Sequence, residues 1–182
     1  MEDFKDNTDN DSLRIKSPAD CLVNNSIYSN LPKKAYIVYG LGNCGKTNTV
    51  CFIADALRTY YAKRQATAVL NEALQKEILH VTIIDGDVNK CIGFSSRGDE
   101  RETVMNNTLS LCLSYSKLIV IAVRDAKTGA KVGMAADVEK ICQNFGYSVQ
   151  KYQLAKTTPV PGNGVNQIVA NQIINDIKQI IP

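Results

Sequence analysis

Residues 35–47 run Ala35-Tyr36-Ile37-Val38-Tyr39-Gly40-Leu41-Gly42-Asn43-Cys44-Gly45-Lys46-Thr47, and this stretch decides the fold. The first five are apolar, aromatic or β-branched, the composition of a buried strand. The next eight follow the pattern G-x-x-x-x-G-K-T. From Thr47 to Lys63 the apolar residues keep helical spacing. Strand, glycine-rich turn and helix start thus stand in the order a phosphate-binding loop requires. A helix N-terminus presents unpaired N–H groups and a partial positive charge, so it attracts anions. Gly40, Gly42 and Gly45 let successive amides turn toward one point. Lys46 adds a full charge within reach of β- and γ-phosphates, and Thr47 offers a hydroxyl oxygen of the kind Mg²⁺ prefers. Leu41, Asn43, Cys44 and Asn48 complete the expected cofactor-binding run 40–48.

On residues 40–47 the chain resembles the P-loop NTPase superfamily. The resemblance implies nucleoside triphosphate and Mg²⁺ binding, and an α/β fold around a mostly parallel sheet. It does not choose among kinase, hydrolase, switch and motor, which share this loop.

The 182 residues are 45% hydrophobic and 21% charged, which suits one α/β domain. A net charge of +3, without lysine and arginine clusters among aromatics, argues against nucleic acid as a partner. No apolar run approaches the ~20 residues of a membrane helix, and the acidic, Asn-rich start is unlike a secretory signal. Six cysteines (21, 44, 51, 91, 112 and 142) lack a C-x-x-C pair, and there is one histidine, His80. Reduced thiols in a cytoplasmic protein are expected, with His80 structural and no zinc site. Cys44 is a small residue in a tight turn, or else a thiol acidified by its surroundings.

Residues 1–32 form a polar extension, expected to be flexible: up to Asp20 they hold six acidic side chains against three basic ones. A short docked element around Leu22–Tyr28 is the alternative there. A nucleotide-binding domain is expected over 33–182, and it continues with a helix over Ala66–Leu79 and a strand over Val81–Ile84. Val88–Ser95 is a further strand, joined to the preceding one across Asp85-Gly86 as a hairpin. A helix follows over Glu100–Ser116, with Val104, Leu109, Leu111, Cys112 and Leu113 inward. Lys117–Val123 is a central strand, Val132–Phe145 a helix stopped by Gly146, and Tyr147–Ala155 the last strand. Val165–Ile181 is a closing helix with Val165, Ile168, Val169, Ile173, Ile177 and Ile180 as core. This alternation predicts an α/β three-layer sandwich around a mostly parallel sheet, with an added β-hairpin.

Ligands of open α/β sheets lie beyond the carboxyl ends of the strands. Three polar groups follow strands here. Asp85 ends an apolar strand, as in the Walker B pattern whose carboxylate supports Mg²⁺; the competing reading puts it in a hairpin turn far from the nucleotide. The run Ser95–Glu102 offers Asp99 as metal support or nucleophile orienter, and Arg97 and Arg101 to meet charge developing on a phosphoryl group. Ser96 or Asp99 also suits a helix cap, with Glu102 closing a capping box. Finally, Arg124–Lys131 would form a lid or a substrate contact, or else a solvated loop. The candidate catalytic set is therefore Lys46, Asp85, Asp99, Arg97, Arg101 and Arg124, and the candidate metal set Thr47, Asp85 and Asp99.

A narrower resemblance covers about 40 residues. Asp85-Gly86-Asp87-Val88-Asn89, then Gly93-Phe94-Ser95, then a charged helix start and a Leu-Ile-Val-Ile strand look like the corresponding stretch of adenylylsulfate kinases. That implies an acceptor-binding role for the aspartate group. Lys90 stands near where those enzymes have arginine, and the spacing to Gly93 is shorter. The N-K-x-D pattern that reads guanine is absent, which favours ATP over GTP. The expectation is a Mg²⁺-dependent ATP-binding protein that transfers a phosphoryl group, to water or to a small-molecule acceptor. The alternative is a nucleotide-gated module that recruits a protein partner with little turnover.

Overall fold

The computed structural model describes residues 31–62, 67–71, 78–85, 88–114, 116–126, 129, 131–155 and 164–182. In chain order these form β1 (Lys34–Gly40), α1 (Lys46–Ala62), β2 (Thr67–Asn71), β3 (Ile78–Asp85), β4 (Val88–Ser95), α2 (Arg101–Leu113), β5 (Leu118–Arg124), α3 (Met134–Asn144), β6 (Ser148–Leu154) and α4 (Gln167–Ile180). All six strands join one sheet in the order β2-β3-β4-β5-β1-β6. The neighbours β4, β5, β1 and β6 are parallel, whereas β3 is antiparallel to both β4 and β2.

The central strands are apolar on both faces because helices cover both. Alternate residues diverge, so Tyr36, Val38, Val120 and Ala122 join one core with Ile53 and Leu57 of α1 and Ile173 and Ile177 of α4. Ala35, Ile37, Ile119 and Ile121 join the other, with Val104 and Leu111 of α2 and Val138 and Cys142 of α3. Helix, sheet and helix layers follow. The hairpin is present too, since Asp85 pairs with Val88 at one end of β3–β4 and Ile78 with Ser95 at the other. Gly146 ends α3 as expected: its φ is +80°, and the Tyr147 amide reaches back to the Cys142 carbonyl.

Several expectations need correction. Within the range Ala66–Leu79, where a helix is expected, Thr67–Asn71 is instead a strand paired with β3, which itself begins at Ile78; Ala66 and residues 72–77 lie outside the described residues. Sheet pairing overrides a local helical preference here, and strand propensity depends on such neighbours. Leu113 is 63% exposed and Ile168 74%, so neither belongs to the core, and Leu109 is also exposed. Helical spacing alone widens an apolar face beyond what one sheet can cover. At α2 the N-cap residue is Glu100, without a side-chain capping bond, so neither Ser96 nor Asp99 caps it. Leu31 packs against the α1/α4 core, while the rest of the N-terminal extension except Pro32, together with Leu22–Tyr28 and Cys21, lies outside the described residues. Most of the expected Arg124–Lys131 lid is described, but Lys127, Thr128 and Ala130 are not. Among the described residues no helix is long and apolar enough to cross a membrane, and Cys44, Cys51, Cys91, Cys112 and Cys142 are free thiols.

Candidate functional site

β1 delivers the chain to Gly40 at the carboxyl edge of the sheet, and α1 begins at Lys46. Two glycines between them are dictated by geometry. Gly40 has φ +156°, and a Cβ there would stand 2.6 Å from the Leu154 carbonyl oxygen. Gly45 has φ +82°, and a Cβ there would collide with the Gly164 carbonyl. Asn43, with φ 58°, is also left-handed, a conformation asparagine tolerates better than most residues.

Inside the loop, the Lys46 ammonium donates to the Leu41 carbonyl at 2.7 Å and lies 3.6 Å from the Cys44 sulfur. The residue is only 7% exposed, and among the described residues no carboxylate pairs with it. A buried cation lacking a counter-charge is costly unless something anionic joins it. Lys46 thus places this ammonium at the first residue of α1, beside the positive end of the helix dipole.

Post-strand loops of β4 and β5 close in from one side. Thr47 Oγ1 donates to the Ser96 carbonyl at 2.9 Å. The Arg124 amide donates to the Gly98 carbonyl at 2.7 Å, and the Asp125 amide to that of Gly40 at 3.0 Å. These bonds tie the carboxyl ends of β1, β4 and β5 together. Arg124 Nη1 lies 3.6 Å from Asp99 Oδ1, and its guanidinium crosses Gly42 so closely that a Cβ there would stand 2.9 Å from Nη2. The Cys51 thiol, hydrogen-bonded to Ser96, has its pKa pushed up by burial, which outweighs that bond. On the other side Gly164 backs onto Gly45. Between lies an open cavity of about 270 Å³, lined by residues 43–48, Gly98, Asp99 and Gly164.

Of the expected site residues, the structure therefore brings together Gly40, Leu41, Gly42, Asn43, Cys44, Gly45, Lys46, Thr47, Asn48, Asp99 and Arg124. Arg97 is exposed on the same β4–α2 loop but does not line the cavity. Arg101 is turned aside, its guanidinium paired with Asp137 of α3. Asp85 is a correction. It pairs with Val88 at the start of β4, whereas Ser95, at the end, is level with Ile121 and so with Ile37. Ten residues of strand, at about 3.3 Å each, put roughly 30 Å between Asp85 and Gly40 along the sheet. The antiparallel course of β3 turns its carboxyl end away from the cradle, so the hairpin reading holds and Asp85 cannot support a metal there.

Sequence reasoning missed Ser96 as a partner of Thr47, because a backbone carbonyl leaves no side-chain signal. It also missed Thr49 and the Gly164–Asn166 segment, although glycine and asparagine just before a helical run are a start signal. Asn166 does cap α4, accepting from the Val169 amide at 3.1 Å.

Among the described residues no group of three or more His, Cys, Asp or Glu side chains could hold a metal on its own. An ion at this cradle would rest on Thr47, Asp99, water and the oxygens of an anionic ligand, which is how Mg²⁺ usually binds beside phosphates. Comparison of the chain with protein-family models, with curated proteins and with solved structures gave no match.

Proposed function

We propose that this protein binds a nucleoside triphosphate with Mg²⁺ at the Gly40–Thr47 loop, ATP ahead of GTP, and transfers its terminal phosphoryl group. The single observation that carries the reading is Lys46, a buried ammonium without a carboxylate partner among the described residues, folded into a glycine-rich loop at a helix N-terminus. A triphosphate supplies the missing charge, and its β- and γ-oxygens replace Leu41 as acceptors from Lys46. The α/β layers, with the loop after a central strand, agree with membership of the P-loop NTPase superfamily.

The residues present fit a bound Mg²⁺. Thr47 gives its proton to the Ser96 carbonyl, so its hydroxyl oxygen keeps its lone pairs for a cation. When bound, the ion neutralises charge on the phosphate oxygens. Phosphoryl transfer needs little covalent help, so positioning and electrostatics dominate. Asp99 would accept a proton from the attacking water or hydroxyl, and Arg124 would meet charge developing on the phosphoryl oxygens. These groups accelerate transfer only by binding the transition state better than the ground state.

One observation favours the second reading, a nucleotide-gated module with slow turnover. Asp99, the carboxylate lining the cavity, already has the Arg124 guanidinium as a partner, which competes with an attacking nucleophile for its oxygens. Calorimetric titration with Mg-ATP, alongside Lys46→Ala, tests binding; no heat of association for the unaltered protein rejects both readings. Incubation with γ-labelled ATP, with and without cell-extract metabolites, separates acceptor phosphorylation, hydrolysis and slow turnover.

A further inference from the structure

Thr49 lies two residues beyond the G-x-x-x-x-G-K-T pattern and is fully buried. Its hydroxyl donates to the Gly45 carbonyl at 2.8 Å, an ordinary bond to the preceding helical turn. The same oxygen also accepts the Asn166 amide at 3.0 Å, from a residue 117 positions away at the N-cap of α4. The Thr49 amide donates to the Gly45 carbonyl too, at 2.9 Å. Two donors therefore fix one carbonyl. Because the peptide unit is planar and trans, fixing the Gly45 carbonyl also fixes the Lys46 N–H in the opposite direction, toward the cradle.

Behind this bond Gly164 packs on Gly45, leaving no room for a side chain at the latter. α4 is held against α1 through Ile173 and Ile177 on one core with Ile53 and Leu57. The N-terminal end of α4 thus touches the phosphate loop at two points, the Gly164–Gly45 contact and the hydroxyl of Thr49.

We infer that the N-terminal end of α4 regulates the grip of the Gly40–Thr47 loop through Thr49, a positioning residue that joins the Asn166 amide to the Gly45 carbonyl. The ligand part of this inference rests on the reading above; the mechanical part does not. Coupling is reciprocal, so a phosphate ligand that tightens the loop also tightens the first turn of α4. Whatever displaces the start of α4 loosens the cradle.

The test uses Asn166→Ala, which removes the α4 cap but keeps the amide that Thr49 accepts, and Thr49→Val and Thr49→Ser, which delete and keep the hydroxyl. Hydrogen exchange of the ligand-free full chain is followed at residues 45–50 and 164–170, with Mg-ATP titrated in parallel. Asn166→Ala should speed exchange at 45–50 by about 2–10-fold, the weight of one net hydrogen bond. Thr49→Val should do the same, Thr49→Ser should match the unaltered protein, and Asn166→Ala should add nothing in the Thr49→Val background. Mg-ATP affinity should fall with the same pattern. Unchanged exchange at 45–50 in Asn166→Ala overturns the inference, as do independent effects of the two substitutions. Unchanged affinity beside altered exchange overturns the regulatory part. If the unaltered protein binds no triphosphate, the proposed function fails, while the exchange data still decide the coupling.

Discussion

The hydroxyl of Thr47, at the first turn of α1, donates a 2.9 Å hydrogen bond to the backbone carbonyl of Ser96, just past the end of β4. A strand-terminal carboxylate is the usual expectation beside such a hydroxyl, and here a peptide group takes the place. The peptide orients the threonine as well as a carboxylate would, but brings no charge toward a cation. Ion binding should therefore lean more on Thr47 and on the ligand's own oxygens. Thr47→Val, close in shape but without the oxygen, is expected to lower the Mg²⁺ contribution to ATP affinity by about 10–100-fold, the range for lost metal-shell groups. Thr47→Ser should restore it. Titrations with ATP in the presence of Mg²⁺ and of EDTA check this, and equal Mg²⁺ enhancement in Thr47→Val removes Thr47 from the metal shell.

Lys46 makes the next prediction because its two roles oppose each other. In the free protein its ammonium is buried without a counter-charge among the described residues, so Lys46→Ala should leave the melting temperature nearly unchanged or raise it. With ligand, the substitution removes charge-assisted bonds worth about 1.5–3 kcal/mol, or roughly 10–150-fold in affinity. Thermal melts with and without millimolar Mg-ATP read both effects together. A fall in the ligand-free melting temperature with stabilisation by ATP intact would mean that Lys46 serves folding and not the ligand.

Asp99 and Asp85 form a matched pair for mutagenesis. Asp99 lines the cavity, whereas Asp85 lies at the opposite end of the sheet. Asp99→Asn should spare ATP binding and lower turnover by about 10²–10⁴-fold, the usual contribution of a general base. Asp85→Asn should leave both unchanged. Arg124→Ala should lower turnover as well, and should free Asp99 from its guanidinium neighbour. Steady-state phosphate release by the three variants settles the assignment; normal turnover in Asp99→Asn takes the carboxylate out of the mechanism.

Local signals explain which parts of this site were legible in the sequence. The run 35–39, the glycines at 40, 42 and 45, and the alternation after Lys46 are all set by neighbours within a few residues. The β3–β4 hairpin is local too, which is why Val88–Ser95 was placed correctly. The strand at Thr67–Asn71 was not, because Thr-Ala-Val-Leu-Asn suits either period and only pairing with β3 decides it. The same non-local choice decided Asp85: a strand ending in aspartate reaches the cradle only if it runs parallel to β1, and direction is a property of the whole sheet. Arg124 meets Asp99 because β4 and β5 are adjacent in the order β2-β3-β4-β5-β1-β6, which no short window reveals. Arg101 pairs with Asp137 for a similar reason, since α2 and α3 share one face of the sheet.

Alkaline pH supplies a test of the other end of the molecule. The Tyr36 hydroxyl is buried and donates to Asp176 of α4 at 2.8 Å, while Lys34 pairs with the same carboxylate. Burial first, then the bond to Asp176, pushes the Tyr36 pKa far above its ordinary value of 10.0. The folded state therefore keeps its proton where the unfolded chain has lost it, and the unfolded state binds fewer protons above that value. Stability should be fully present below pH 10 and fall above it, by ~1.4 kcal/mol per pH unit for this one group. Tyr36→Phe cannot ionise in either state, so its urea midpoint should start lower at pH 8, for want of the bond to Asp176. Between pH 10 and 11.5 it should then decline less steeply than that of the unaltered protein. Parallel declines in the two proteins over that interval would place the alkaline loss in other groups, Tyr147 and Tyr152 first among them, whose pKa values burial also raises.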